Sequence, residues 1–384
     1  KIRMDKIYTA MGLMSGTSSD GVDVSIIKSD GNQEFSILFD KYFQYDEELT
    51  QKILKIRDKI LSPDDLTKYQ VEIKDLEREI TLFHFKAVNK CLELSKSDVD
   101  LIGFHGQTIF HAPEKKITKQ LGDGLLLSQL TKKKVIYNFR QNDLENGGQG
   151  APLAPIFHNA LANELNKKFN LGFPMNILNI GGISNVTSTT EYNNLDLEEK
   201  IFACDIGPGN CLIDEWMRKN SKKGYDKEGL VARSGKTDKL ILNQALDNFT
   251  EQSNFEKSLD IKNFDIFFAK GLSLEDGAAT ITDFTAKLIS NGMNFIHNKN
   301  NSQKSKWLVC GGGRKNKYLL ESIKSNFDDI NLNSIDQYEL DGDFIESQAF
   351  AFLAIRSLKG MPISFPNTTG CQKSVTGGVL VENF

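Results

Sequence analysis

Residues 12–24 read GLMSGTSSDGVDV and residues 178–187 read LNIGGISNVT. In the first stretch the apolar run Ile7 to Met14 feeds the turn SGTSSDG at 15–21, and Val22 to Ile27 resumes an apolar, β-branched run. That pattern is strand, tight turn, strand. Met175 to Thr187 repeats the arrangement, a weak internal duplication. Each hairpin therefore opens its own α/β lobe.

Around the hairpins, apolar residues recur at helical spacing in Glu47 to Ile60 and in Val71 to Leu94, where Ile73, Leu76, Ile80, Phe83, Val88 and Leu92 share one stripe. These predict helices packed on a sheet. LIGFHGQT at 101–108 reads as a second strand-to-loop junction, and the polar, glycine-rich stretch RQNDLENGGQGAP at 140–152 as a loop. A lobe boundary is placed there: residues 1–140 as the N-terminal lobe and 141–384 as the C-terminal lobe. Helices are expected at Ala154–Phe169, Gly277–His297 and Glu346–Leu358, a strand at Trp307–Cys310, and a solvated loop at His297–Lys306. The last helix, about 345–360, is free to return to the first lobe.

Composition limits the function. The 384 residues are 39% apolar and 26% charged, with 47 Lys and Arg against 51 Asp and Glu for a net charge of −4. Such a chain folds and carries no global field for nucleic acid or an anionic membrane, so the partner is expected to be small. Cys91, Cys204, Cys211, Cys310 and Cys371 show no CxxC spacing, which argues against a disulfide framework or a zinc site. His84, His111, His158 and His297 have no metal spacing and read as structural. No apolar run approaches the roughly 20 residues of a membrane span, and Lys1 to Ala10 lacks a signal-type apolar core. A reducing, cytoplasmic setting is expected.

SGTSSDGVD has the Gly16–Gly21 spacing of a P-loop, but Val22 and Asp23 stand where that motif needs Lys and Ser or Thr. A Walker NTPase is thereby disfavoured. The turn can still offer N–H groups and hydroxyls to phosphate, with Asp20 and Asp23 holding a hydrated Mg2+; its bland alternative is an ordinary β-turn. Three more glycine loops follow comparable strands: LNIGGISN (178–185), CDIGPGN (204–210) and VCGGGRKN (309–316). None fits GxGxxG, so a dinucleotide fold gains nothing.

GLMSGTSSDGVDV (12–24), FHGQT (104–108), GGQGAPLAP (147–155), LNIGGISNVT (178–187), DIGPGN (205–210) and CGGGRKN (310–316) together resemble, in content and order, the anhydro-N-acetylmuramic acid kinase family. That family belongs to the actin/hexokinase/chaperone ATPase superfamily. The resemblance implies two ribonuclease H-like lobes with ATP in the cleft between them, and suggests a homodimer. It implies a reaction of peptidoglycan recycling, in which ATP and water convert 1,6-anhydro-N-acetylmuramic acid to N-acetylmuramic acid 6-phosphate and ADP.

Carried over by motif, Asp205 is the catalytic base. Gly16, Thr17, Ser18, Ser19, Asp20, Gly21, Val22 and Asp23 bind ATP, Gly181 and Gly182 approach its phosphates, and Gly311, Gly312 and Gly313 lie by the α-phosphate and ribose. His105, Gln107, Arg140 and Asp143 lie near the sugar, with Glu346 facing the cleft. The alternative for Asp205 is a cap on the helix Cys211–Met217. The chain departs from the family at Asn138, where Asp is usual, at Ser347 and Gln348 in a helix start that is usually Ala-rich, and at Glu256, Lys257 and Ser258 in place of Pro-Pro-Lys-Ser. Two other classes share the fold. A kinase for another sugar would differ in product, and an actin- or chaperone-like interaction protein would hydrolyse ATP without a sugar.

Overall fold

The computed structural model describes residues 6–190, 196–250, 255, 258–301, 304–327 and 331–384. The departures at Glu256 and Lys257 lie outside the described residues. The chain divides into two compact units. The first comprises residues 1–168, 196–201 and 344–384, and the second residues 169–195 and 202–343.

In the first unit β1 (Tyr8–Ser15), β2 (Gly21–Ser29) and β3 (Phe35–Gln44) form an antiparallel meander. β4 (Leu101–Ala112) pairs parallel with β1, β5 (Ile117–Leu121) folds back on β4, and β6 (Lys134–Tyr137) lies parallel to β4. A late strand, Val379–Val381, closes that edge antiparallel to β6. The predicted helices appear as Glu47–Lys59 and Gln70–Ser95, the former capped by Asp46, whose Oδ1 accepts the Leu49 N–H at 2.8 Å. Ile73, Leu76, Ile80, Val88 and Cys91 of the longer helix are buried against the sheet with Met11, Leu13, Val24 and Ile102.

The other face takes the helix Ile345–Leu358 at unusually close range. Gly12 and Gly103 are register partners on β1 and β4. A Cβ on Gly12 would lie 1.9 Å from the Ser347 carbonyl oxygen, and one on Gly103 2.3 Å from that of Phe350. Glycine at both positions lets helix backbone lie on sheet backbone.

In the second unit β7 (Met175–Ile180) and β8 (Ile183–Thr189) form the second hairpin. With β9 (Ile201–Pro208), β10 (Lys306–Cys310) and β11 (Leu332–Ser334), the sheet runs β11-β10-β7-β8-β9. The first sheet runs β6-β4-β1-β2-β3. With β5, which pairs only with β4, left out of the count, both follow fifth, fourth, first, second, third, the ribonuclease H-like order, with a parallel fourth strand beside an antiparallel hairpin. The duplication glimpsed in two glycine turns extends to whole sheets. The long helix Leu274–Lys299 is capped by Ser273 and buries Ile281, Phe284, Leu288, Ile289 and Met293 in the second core.

Three local expectations need correction. HGQT is not a loop: β4 continues through it to Ala112, past a bulge at His105–Gly106 where Gly106 takes φ 78°. The stretch 140–152 contains a short helix, Gln141–Glu145, and the helix expected to end at His297 runs to Lys299. Among the described residues no helix is long and apolar enough to cross a membrane.

Candidate active site

The first hairpin, residues 16–20, is held by its carbonyls. The Gly16 oxygen accepts the Ser19 N–H at 3.2 Å and Gln107 Nε2 at 3.0 Å; the Thr17 oxygen accepts Arg57 Nη1 at 2.8 Å. The Asp20 oxygen accepts the Tyr45 N–H at 2.8 Å and the Tyr42 hydroxyl at 2.9 Å. Engaging the acceptors from behind leaves the turn to present donors, which is what an anion site needs. Ser15 closes the base of the hairpin. Its Oγ lies 2.8 Å from the Tyr45 hydroxyl and 3.4 Å from His84 Nε2. His84 Nδ1 donates to the Ile80 oxygen at 2.8 Å, so Nε2 is the acceptor of that neutral ring.

Asp20 and Asp23 sit at the β2 end of the turn, where Ser18 Oγ donates to Asp20 Oδ1 at 2.6 Å. Tyr42 registers their charge. Its phenol is pushed well above the ordinary range by burial and by both carboxylates.

Residues expected near the sugar fall into two groups. His105, Arg140 and Glu346 stand together: His105 Nε2 accepts Arg140 Nε at 3.1 Å and Nη2 at 2.9 Å, while His105 Nδ1 donates to the Gly106 oxygen at 2.8 Å. Burial and the adjacent Arg140 hold His105 neutral, its pKa well below the usual value. Glu346 feels Arg140 too, but burial outweighs it and raises the carboxyl. Gln107 lies beyond the bulge, opposite Ser15, fully buried, with Oε1 lacking any hydrogen-bond partner among the described residues.

Asp143 belongs to a different structure. It is 1% exposed, and its carboxylate accepts the Gly150 N–H, Ser364 Oγ and Thr369 Oγ1, each at 2.6 Å. Arg140 Nη1 meanwhile donates to the Gly150 oxygen at 2.7 Å. Asp143 thus ties the 147–152 loop to the chain end and sets the far side of Arg140.

In the second unit two glycine loops stack. The N–H groups of Gly209 and Asn210 donate to the Gly182 and Gly181 oxygens at 2.8 and 2.7 Å, and Cys211 N–H donates to Gly182 at 3.2 Å. A Cβ on Gly209 would sit 2.1 Å from the Gly181 oxygen. Asp205 is within β9 rather than at its end, three residues before the last strand residue Pro208. It is 7% exposed, and its Oδ2 accepts the Leu259 N–H at 2.8 Å. The following helix, Cys211–Asn220, takes Asn210 as its N-cap residue, so capping is not the role of Asp205. Gly311, at φ 79°, packs on Asn179 and Ile180, and Gly313 on Ile180.

The glycines sort themselves by what surrounds them. Gly209, Gly311 and Gly313 are required by protein atoms within 2.6 Å of an added Cβ. Gly16, Gly181 and Gly312 are not: the nearest atom would be 3.6 to 4.0 Å away, and none has positive φ. The fold would accept alanine at those three, so no protein atom around them demands glycine. Tyr42, Tyr45 and Arg57 carry no signal in the sequence because they sit outside every glycine motif, while His84, read there as structural, supports Ser15.

Comparison with known proteins shows the family. The family described as anhydro-N-acetylmuramic acid kinase matches residues 8–383. The anhydro-N-acetylmuramic acid kinase of Pelagibacter ubique (strain HTCC1062) is 54% identical over 383 residues, covering 99% of this chain and all of that protein. The protein of that name from Rhizobium etli is 37% identical over 380 residues, covering 98% and 99%. Among solved structures, an activator of 2-hydroxyisocaproyl-CoA dehydratase from Clostridium difficile with bound ADPNP aligns with 91% of this chain and 96% of its own, at 12% identity and a TM-score of 0.43. With a family match over nearly its whole length and more than half its residues shared with a full-length relative, the chain belongs to the anhydro-N-acetylmuramic acid kinase family, ATP-using phosphotransferases of cell-wall recycling.

Proposed function

We propose that this chain opens 1,6-anhydro-N-acetylmuramic acid with water and passes the γ-phosphoryl group of ATP to O6, giving N-acetylmuramic acid 6-phosphate and ADP. The observation that carries the reading is Asp205: a buried carboxylate with one oxygen fixed by the Leu259 amide, four residues before a glycine loop stacked on a second one. Asp205 takes a proton from water as its oxygen bonds to C1. The C1–O6 bond breaks, O6 takes the phosphoryl group, and the β–γ bridging bond yields ADP. Ordinary inverting hydrolysis needs a second group to protonate the departing oxygen; phosphorus replaces that proton, so one carboxylate suffices.

The hairpin 16–23 and the loops at 181–182 and 311–313 hold the nucleotide. His105, Arg140, Gln107 and Glu346 hold the sugar. The neutral His105 accepts two Arg140 donors, directing a guanidinium suited to an acidic lactyl group, and the unpartnered Gln107 Oε1 suits a ligand N–H or O–H. Asp143 positions Arg140 through Gly150.

Asp20 and Asp23 fit Mg2+ held mainly by phosphate and water, since two carboxylates supply charge without forming a cage. When bound, the ion neutralises β- and γ-phosphate charge. Chelation by EDTA is expected to abolish turnover. The enzyme is proposed to work as a cytoplasmic homodimer, which size-exclusion with light scattering checks.

The deciding experiment is ADP formation from Mg2+-ATP with and without the anhydro sugar, with mass spectrometry of the product. Strong stimulation and a product heavier by phosphate plus water support the reaction; ATP hydrolysis indifferent to the sugar rejects it.

The glycine sorting gives a second prediction. Gly16→Ala, Gly181→Ala and Gly312→Ala should leave thermal stability unchanged or raise it by up to about 1 kcal/mol, because the unfolded chain loses freedom. Each should raise the KM for ATP roughly tenfold or more, since a methyl displaces a phosphate by about an ångström. Gly209→Ala should instead cost about 1–3 kcal/mol through overpacking. Thermal melts beside steady-state kinetics separate the two kinds, and unchanged KM values in the first three would remove those loops from the nucleotide site.

A further inference from the structure

GGGRKN carries two cations after its glycines, Arg314 and Lys315, which beside a polyphosphate would ordinarily be taken as phosphate ligands. The structure uses Arg314 otherwise. Its side chain is 4% exposed and its guanidinium is spent on protein acceptors. Nε donates to Asp336 at 2.8 Å, Nη2 to Asp341 at 3.1 Å, and Nη1 both to Asp343 at 2.5 Å and back to the Gly311 oxygen at 3.1 Å. Lys315 also pairs with Asp343.

The carboxylates come from a segment 22 to 29 residues downstream of Arg314. That segment is fastened to the glycine loop by backbone as well. Gly311 N–H donates to the Gly342 oxygen at 2.9 Å, and Gly342 N–H donates to Asp336 Oδ1 at 2.8 Å. Gly342 has no room for a side chain, since its Cβ would be 2.5 Å from Arg314 Nε. Burial works against the ionisation of Asp336 and Asp343, yet hydrogen bonds from Arg314 hold both below the ordinary carboxylate range. One planar fork thus joins three acidic side chains and the first residue of the loop, a geometry that a lysine cannot span.

We propose that Arg314 is a positioning residue for nucleotide binding: clamped by Asp336, Asp341 and Asp343, it fixes the carbonyl of Gly311 and so the path of Gly312 and Gly313 under the ATP. The inference rests on the reading that this loop holds the nucleotide. Three carboxylates against Arg314 and Lys315 leave one surplus negative charge. Losing the guanidinium therefore both frees the loop and exposes the ATP to repulsion.

The test compares Arg314→Lys, Asp341→Asn and Gly312→Ala in the full chain, by calorimetric ATP binding and by kinetics with each substrate varied. Asp341, half exposed, is the milder lesion should Arg314→Lys fold poorly. The clamp predicts that Arg314→Lys weakens ATP binding about tenfold to a hundredfold. Asp341→Asn should weaken it less, and the KM for the sugar should not move in either variant. A merely structural Arg314 would lower the melting temperature and kcat while leaving ATP affinity and the KM for ATP in place, and that result overturns the proposal. Gly312→Ala locates the failure. If it weakens ATP binding while Arg314→Lys does not, the clamp is wrong and the loop reading stands; if neither moves ATP binding, both fall.

Discussion

Asp205→Asn is expected to lower kcat roughly 10²- to 10⁴-fold, the range for removing a positioned general base, while ATP binding stays near its original strength. The substitution preserves shape. An asparagine Oδ1 accepts the Leu259 N–H as the carboxylate does, so the strand and the loop after it keep their anchor. What disappears is the basic oxygen that takes the proton from water. The melting temperature should therefore stay within about 2 °C of the parent, less than a loss of 1 kcal/mol would shift a domain of this size. Retention of more than a tenth of the original kcat, with the melting temperature unchanged, would sink the assignment.

The second large effect concerns acid. His84, His105 and His158 are buried in the first unit, and burial depresses all three: His84 to about 4, His158 to about 3, and His105 well below its ordinary value with Arg140 adding to the effect. His111, less buried, is depressed to about 4 by burial and Arg140. Below about pH 6.5 the unfolded chain takes up protons that the folded unit refuses, so stability falls as pH falls. It is fully present above that value and continues to fall until the folded rings titrate. At pH 5 each fully buried ring should have cost roughly 2 kcal/mol, and three together rival the whole stability of an ordinary domain.

Denaturant melts should give a nearly level stability from pH 7.5 to about 6.5 and then, towards pH 5, a slope approaching about 1.4 kcal/mol per pH unit for each such histidine. His158→Leu should flatten the slope by one histidine's share. A flat profile over that range contradicts the picture. The folded molecules should keep the contact between His105 and Arg140 through the same window, because a His105 held neutral goes on accepting from Arg140.

How much of this was legible in the sequence depended on distance along the chain. The hairpins were plain because turn and strands lie within about twenty residues, and the amphipathic helices because their buried faces repeat every turn. HGQT looked like a loop because one glycine interrupts it, whereas a single bulge lets β4 absorb the extra residue and carry on. Resemblance alone places Asp143 near the sugar, and its hydrogen-bonded anchoring could not be read from the sequence. Its partners Ser364 and Thr369 lie more than 220 residues away. The role of Arg314 was hidden for the same reason. Nothing in GGGRKN announces that three aspartates downstream will claim the guanidinium.

The pairing of Gly12 and Gly103 under the helix Ile345–Leu358 carries a consequence for biosynthesis. Residues 344–384 complete a unit whose first strand begins at Tyr8, so translation must deliver nearly all of the second unit before the first can be finished. During that interval the face of β1 and β4 around Gly12 and Gly103 has sheet but no covering helix. A sheet face made before the second unit is therefore sealed only after it, and the nascent chain must keep that apolar surface from straying partners in the meantime.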